Sequence, residues 1–218
     1  MIKFTVDGRE ITAPQGTSLL TACLDNDIYI PNLCYLKDMT QPPASCRLCF
    51  VEIEGRNQPV TSCTMVVENK MKVRTDTPLV RRLQKSSLKM LLSVHDVNCK
   101  ECCATKKKCE LQKIAKFLKV KLKQKKIEHI YKKVEGKPEA GFNHPVLDYN
   151  PDRCVLCGKC IYICQLYNTT GLLSFANRGF KTIISAFGES DQAKLECAGC
   201  LECVRICPVG ALSQQALS

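Results

Sequence analysis

CVLCGKCIYIC occupies residues 154–164 and CAGCLECVRICP residues 197–208, so the spacing Cys-x2-Cys-x2-Cys-x3-Cys is written twice, 43 residues apart. Three thiols two residues apart can wrap one corner of a compact inorganic core, because a tight turn aims each side chain and several backbone N–H groups at one centre. The fourth falls on a short helix, too far along the chain to reach that centre.

In two-cluster ferredoxins a run of this spacing sends its fourth thiolate to the other cluster. Cys154, Cys157, Cys160 and Cys207 are therefore assigned to one [4Fe–4S] cluster, and Cys164, Cys197, Cys200 and Cys203 to its neighbour. The crossing holds the two clusters close enough for an electron to tunnel. Structural zinc also uses Cys-x2-Cys pairs, but this run would crowd a tetrahedral ion and leave the x3 step unexplained. Disulfides at so short a spacing would be strained.

Seventeen cysteines in 218 residues point to small modules built around metal where the apolar core is thin. Met1 to Glu10 contains no apolar leader, and no stretch reaches the roughly 18 apolar residues of a membrane helix. A soluble, cytoplasmic protein with reduced cysteines is expected. The formal charge of +11 suggests nucleic acid, yet it counts each cysteine as neutral. Thiolates around four oxidised cores change it by about −7, leaving about +4, so most of the basicity disappears.

MIKFTVDGREIT (1–12) alternates apolar and polar residues around Asp7-Gly8, a hairpin signal. Thr17 or Ser18 can cap a short helix to about Asp27, with Leu19, Leu20 and Cys23 on its inner face. Ile28 to Ile30 reads as strand, stopped by Pro31. Cys34, Cys46, Cys49 and Cys63 interleave with the strand CFVEIEG and another near Val60. That is the ferredoxin plan for a [2Fe–2S] cluster, although the x11, x2, x13 spacing differs from the plant type, and zinc is a more serious rival here. Pro42-Pro43 stiffen the longer loop. Cys23, on a helix inner face, reads as a small hydrophobe.

Thr77-Pro78 starts a helix with a stripe of Leu79, Leu83, Leu88, Leu91 and Leu92. It leads to HDVNCKECCATKKKCELQ (95–112), where His95, Cys99, Cys102 or Cys103, and Cys109 could form a fourth site. Leu111, Ile114, Leu118 and Leu122 continue with helical spacing. The lysine-rich stretch to Lys137 reads as a solvated face; Phe117 and Tyr131 alone interleave it, too few for a single-strand stacking platform. Pro138, Gly141 and Pro145 mark a linker.

The order Cys34/Cys46/Cys49/Cys63, HDVNC with CELQ, RCVLCGKC, ANRGF and ICPVGAL resembles a known family over nearly the whole chain. It is similar to the iron–sulfur relay region shared by the large Fe–S subunit of respiratory complex I, the small diaphorase subunit of NAD-reducing hydrogenases, and [FeFe] hydrogenases. The resemblance implies that His95, Cys99, Cys102 and Cys109 hold a third [4Fe–4S] cluster. One residue more than the family's spacing leaves Cys102 or Cys103 as the middle ligand; Cys102 matches without a gap. Gln165 stands where isolated ferredoxins carry Pro, which leaves the cluster assignment intact.

The expected fold is α+β: a β-grasp [2Fe–2S] ferredoxin domain over 1–77, a small helical His/Cys-ligated [4Fe–4S] domain over 78–137, and a bacterial-type two-cluster [4Fe–4S] ferredoxin domain over 138–218. The resemblance implies an electron-relay subunit of a soluble NAD(P)-linked oxidoreductase complex of hydrogenase, formate dehydrogenase or electron-bifurcating/transhydrogenase type. Its partners would be a flavin/NAD(P)-binding subunit and a second redox subunit. Ending at Ser218 and showing no Gly-rich phosphate loop, the chain is expected to have no substrate-converting site, no nucleic-acid partner and no membrane span. A free-standing multi-cluster ferredoxin carrier is the alternative, and a zinc-rich interaction module the third class.

Overall fold

The computed structural model describes residues 1–102, 109–123, 142, 144–167, 171–186, 197 and 199–215. Cys103, the lysines from 124 to 137, Tyr131, Pro138 and Gly141 lie outside the described residues. Backbone packing divides the chain into two compact units: Met1–Met90 with Ile114–Val120, and Leu91–Lys113 with Lys121–Ser218.

In the first unit, β1 (Ile2–Val6) and β2 (Arg9–Ala13) form the expected antiparallel hairpin. Asp7 and Gly8 both take positive φ, 51° and 82°, the backbone a two-residue turn demands if it is to match the strand twist. The Asp7 carboxylate also accepts from Thr75 N–H (2.8 Å) and Thr75 O–H (2.6 Å). β3 (Phe50–Ile53), β4 (Val60–Thr61) and β5 (Lys72–Arg74) complete a five-stranded sheet of order β2-β1-β5-β3-β4. β5 pairs parallel to β1 and antiparallel to β3, so the sheet is mixed.

Helix α1 (Leu19–Asp25) starts at Ser18, whose hydroxyl accepts from Thr21 N–H at 3.1 Å. Leu19, Leu20 and Cys23 are buried with Phe4, Val6 and Val51, each large side chain contributing about 1.5–3 kcal/mol. Residues 28–30 are not a strand. The helix ends in a left-handed Asp27 (φ 60°), and Ile28 N–H returns to Cys23 C=O. Ile30 is nonetheless buried in the core.

Helix α2 (Pro78–Val94) begins as expected, with Thr77 Oγ1 accepting from Val80 N–H. Its buried stripe is Val80, Gln84, Leu88 and Leu92, while Leu79, Leu83 and Leu91 are only half-buried. The sequence hides this because Gln84 is polar. Its amide is paired inside, donating to Phe50 C=O (3.1 Å) and accepting from Arg81 (3.0 Å), which offsets the cost of burying it. Helix α3 (Glu110–Phe117) stops before Leu122: Leu118 and Val120 N–H groups return to Ile114 and Ala115, and Lys119 is left-handed (φ 54°). Phe117 is engaged by Tyr29 edge-on at 4.8 Å and by the Arg81 guanidinium at 4.6 Å.

The second unit holds β6 (Leu147–Tyr149), α4 (Lys159–Tyr167), β7 (Leu173–Ala176), β8 (Ile183–Ala186), α5 (Glu202–Ile206) and β9 (Leu212–Gln214). Two antiparallel ribbons, β6 with β9 and β7 with β8, accompany the two short helices. Among the described residues, no helix is long and apolar enough to cross a membrane.

Candidate iron-sulfur centres

Cys34 and Cys46 lie on the long loop between α1 and β3, Cys49 directly precedes β3, and Cys63 sits in the 3-10 turn Ser62–Thr64. Ala44 and Arg47 take left-handed φ of 50° and 53°, coiling the loop around its cysteines. Ser62 fastens the two arms, donating both N–H and O–H to Cys49 C=O at 2.9 Å. All four thiols are buried and free. Cys34 and Cys46 sulfurs stand 3.4 Å apart. The hydrogen bond from Cys46 draws the Cys34 thiol down to about 5 and pushes Cys46 well up. Likewise the bond from Cys63 draws Cys49 down to about 7 and raises Cys63. Cys23 is different: burial above all, with the Asp7 charge second, pushes its thiol up to about 12, the behaviour of an inert packing residue.

In the second unit the repeated spacing becomes two cavities. Cys154, Cys157, Cys160 and Cys207 line one. Cys164, Cys197, Cys200 and Cys203 line the other. Each cavity thus takes three cysteines from one repeat and the last from the other. The residue after the second cysteine is left-handed in both repeats, Gly158 at φ 75° and Leu201 at φ 51°. That reversal turns the chain into α4 and α5, which carry the later thiols. At Gly158 a side chain would also meet the Phe175 ring at 3.6 Å.

Donors point at the sulfurs of the first cavity. Leu156 N–H reaches Cys154 Sγ at 3.4 Å and Ala211 N–H reaches Cys207 Sγ at 3.2 Å. The Tyr149 hydroxyl, which accepts from Ile184 N–H at 3.2 Å, is hydrogen-bonded to Cys154. Burial raises the thiols, Cys157 and Cys203 both to about 12 and Cys160 further. Buried thiols of this kind ionise only against a positive core. Two four-thiol cavities, the first with N–H and O–H groups turned to its sulfurs, therefore fit an iron–sulfur group in their donor set.

His95 is buried, and its Nδ1 stands 2.9 Å from Arg153 C=O. A carbonyl can only accept, so Nδ1 carries the proton and Nε2 keeps a free lone pair. Burial holds the ring below its ordinary pKa, favouring this neutral form. Cys99 opens a 3-10 turn that closes at Cys102. Cys109 precedes α3; burial raises its thiol first, and nearby Cys102 and Cys99 raise it further. The three thiols are therefore electrostatic neighbours. The turn is tied down by Asp96 N–H to Asp152 C=O (2.7 Å), Arg153 to Glu101 C=O (3.2 Å) and Glu110 N–H to Pro208 C=O (3.0 Å).

Tyr149 and His144 escaped sequence reasoning. His144 is 1 % exposed and lines the second cavity. Neither residue belongs to a spacing motif.

Residues 1–78 match the 2Fe-2S iron-sulfur cluster binding domain family, and residues 150–211 match the 4Fe-4S dicluster domain family. Over 219 residues the chain is 33 % identical to the NADP-reducing hydrogenase subunit HndD of Solidesulfovibrio fructosivorans, covering 97 % of this chain and 36 % of that protein. It is also 33 % identical to an NADH-quinone oxidoreductase subunit of Rhizobium meliloti, covering 97 % of this chain and 24 % of the relative. The chain thus spans about a third or less of these curated relatives. Among solved structures, a chain of an NAD+-reducing [NiFe]-hydrogenase in the H2-reduced state superposes with TM-score 0.81 at 28 % identity, covering 100 % of this chain and 88 % of that one. With one 2Fe-2S domain followed by one 4Fe-4S dicluster domain, the chain is similar over nearly its whole length to the iron–sulfur region of these hydrogenase and NADH-quinone oxidoreductase subunits.

Proposed function

We propose that the chain is the electron-relay subunit of a multi-subunit NAD(P)-linked oxidoreductase, cytoplasmic, carrying single electrons between a flavin subunit and a second redox subunit. The observation that carries this reading is the pair of crossed four-cysteine cavities. Iron–sulfur groups held there would supply one-electron steps, which suit the splitting of a hydride's electron pair at a flavin. The similarity to an NADP-reducing hydrogenase subunit and to an NAD+-reducing hydrogenase chain supports the nicotinamide link.

Four clusters complete the proposal. Cys34, Cys46, Cys49 and Cys63 hold a [2Fe–2S] cluster in a β-grasp domain over 1–77, whose five-strand order and crossing helix suit that fold. His95 through Nε2, with Cys99, Cys102 and Cys109, holds a [4Fe–4S] cluster in the 78–137 module. The Arg153 carbonyl fixes the tautomer that ligation needs, the usual arrangement behind a histidine ligand. The two crossed quartets hold the remaining [4Fe–4S] clusters in 138–218. The protein's own contribution is to bury the thiolates, exclude water and aim N–H and O–H groups at sulfur, which sets the order of potentials.

Anaerobic purification of the chain with its natural neighbours tests the reading. Expected are about fourteen iron and about fourteen labile sulfide per chain, and a copurifying flavoprotein through which NADH or NADPH reduces the clusters. Zinc in place of iron, or far less sulfide, overturns it. A stable monomer that is never found with a flavoprotein makes the chain a diffusing carrier instead.

A further inference from the structure

His95 and His144 are both buried, but the surrounding backbone fixes opposite tautomers. The His144 Nδ1 receives two amide protons, from Val146 N–H and Leu147 N–H, each at 3.2 Å. A nitrogen that accepts two donors carries no proton, so the one proton of the neutral ring is on Nε2. Both amides belong to the entry of β6, whose register is fixed by Leu147 opposite Gln214 and by Gln215 N–H on Val146 C=O. Phe142 stacks beside the ring at 6.0 Å. The imidazole is thereby held at Nδ1 and along one face, and Nε2 is left as its working end.

That Nε2–H is buried and has no hydrogen-bond partner among the described residues. Orphaned buried donors are rare, and each calls for a partner of another kind. The ring lines the cavity shared by Cys164, Cys197, Cys200 and Cys203. Four thiols already meet the ligand count there, so a further group in the wall is free to act on sulfur instead of iron. On the reading given above, we propose that His144 is a positioning residue that donates Nε2–H to a sulfur of the cluster held in this cavity and raises its reduction potential.

The direction follows from charge. Reduction adds an electron that is shared with the sulfurs, so a fixed N–H donor stabilises the reduced form more than the oxidised one. In the first cavity the Tyr149 O–H is hydrogen-bonded to Cys154, so each of the two centres would have one side-chain donor. A proton on Nε2 also excludes direct ligation by this ring, whereas His95 presents a lone pair.

The test uses the iron–sulfur-loaded full chain. His144→Leu keeps bulk and removes the donor; His144→Gln returns an N–H. Potentiometric titration followed by EPR should show one [4Fe–4S] signal of His144→Leu moving to lower potential, with up to a tenfold change in its redox equilibrium, about 59 mV for one electron. The other signals should stay, iron and sulfide should match the parent, and His144→Gln should recover part of the shift. With 15N-labelled histidine, pulsed EPR of the parent should show a weak nitrogen coupling at that signal, absent from both variants. Unmoved potentials with full iron and sulfide overturn the donor alone. If His144→Leu fails to assemble, the parent's labelled spectrum decides: no weak coupling, or a strong one typical of a ligand, overturns the proposal. A parent lacking the dicluster iron overturns the underlying cluster reading, and the donor falls with it.

Discussion

Replacing Tyr149 by Phe deletes one oxygen and leaves the ring in its packing, with the Phe142 centroid 5.3 Å away. That oxygen accepts from Ile184 N–H at 3.2 Å and is hydrogen-bonded to Cys154. Its loss removes an O–H donor from sulfur. A hydrogen bond to a charged acceptor contributes about 1.5–3 kcal/mol net. If a third to a half of it discriminates between oxidation states, about 0.5–1.5 kcal/mol is lost from the reduced form, a fall of about 20–65 mV for a one-electron couple. The buried Ile184 amide also loses its acceptor, a separate cost of about 1–3 kcal/mol in stability. Redox titration by EPR, with iron and sulfide measured on the same samples, reads the first effect. One [4Fe–4S] potential should fall while the rest stay. Unchanged or raised potentials at full cluster content would refute the argument that this hydroxyl tunes the centre.

Cys102→Ser is expected to remove one [4Fe–4S] signal and about four iron, whereas Cys103→Ser keeps them; the opposite result would give the ligand role to Cys103. Cys23→Ser should retain every cluster while lowering stability by about 1–3 kcal/mol, because the hydroxyl is buried without its water partners; loss of two iron would make Cys23 a ligand. Asp7→Ala removes both acceptors of Thr75 and puts Ala in a left-handed turn, so the urea midpoint for bleaching of the [2Fe–2S] colour should fall by an amount corresponding to about 2–4 kcal/mol. Asp7→Asn should cost less, since Asn tolerates the turn.

Features written in local chemistry were legible in the sequence. Asp7-Gly8 announced a hairpin because only certain residues enter its turn, and Ser18 announced a helix because its hydroxyl can satisfy a free amide. The doubled cysteine run announced two crossed quartets, and the cavities bring those same eight thiols together. Less legible was anything decided by a distant partner. β5 is three residues with one buried side chain, and it becomes a strand because β1 and β3 leave a slot for it. Ile28 to Ile30 has strand composition, but the Ile28 N–H is taken by the Cys23 carbonyl at the helix end and no strand forms there. Gln84 is inside because Phe50 offers a carbonyl. The side-chain donors Tyr149 and His144 carry no spacing of their own, since their roles come from the walls they complete.

Lending the final cysteine of each repeat to the opposite cavity also couples damage. When oxygen strips iron from one centre, the thiol released there is rooted in the helix whose other sulfurs guard the neighbour. Cys164 lies in α4 with Cys160, and Cys207 ends α5 after Cys203. Disorder at one centre is thus passed by a turn or so of helix to the other, and the pair should bleach, and be rebuilt, as one event.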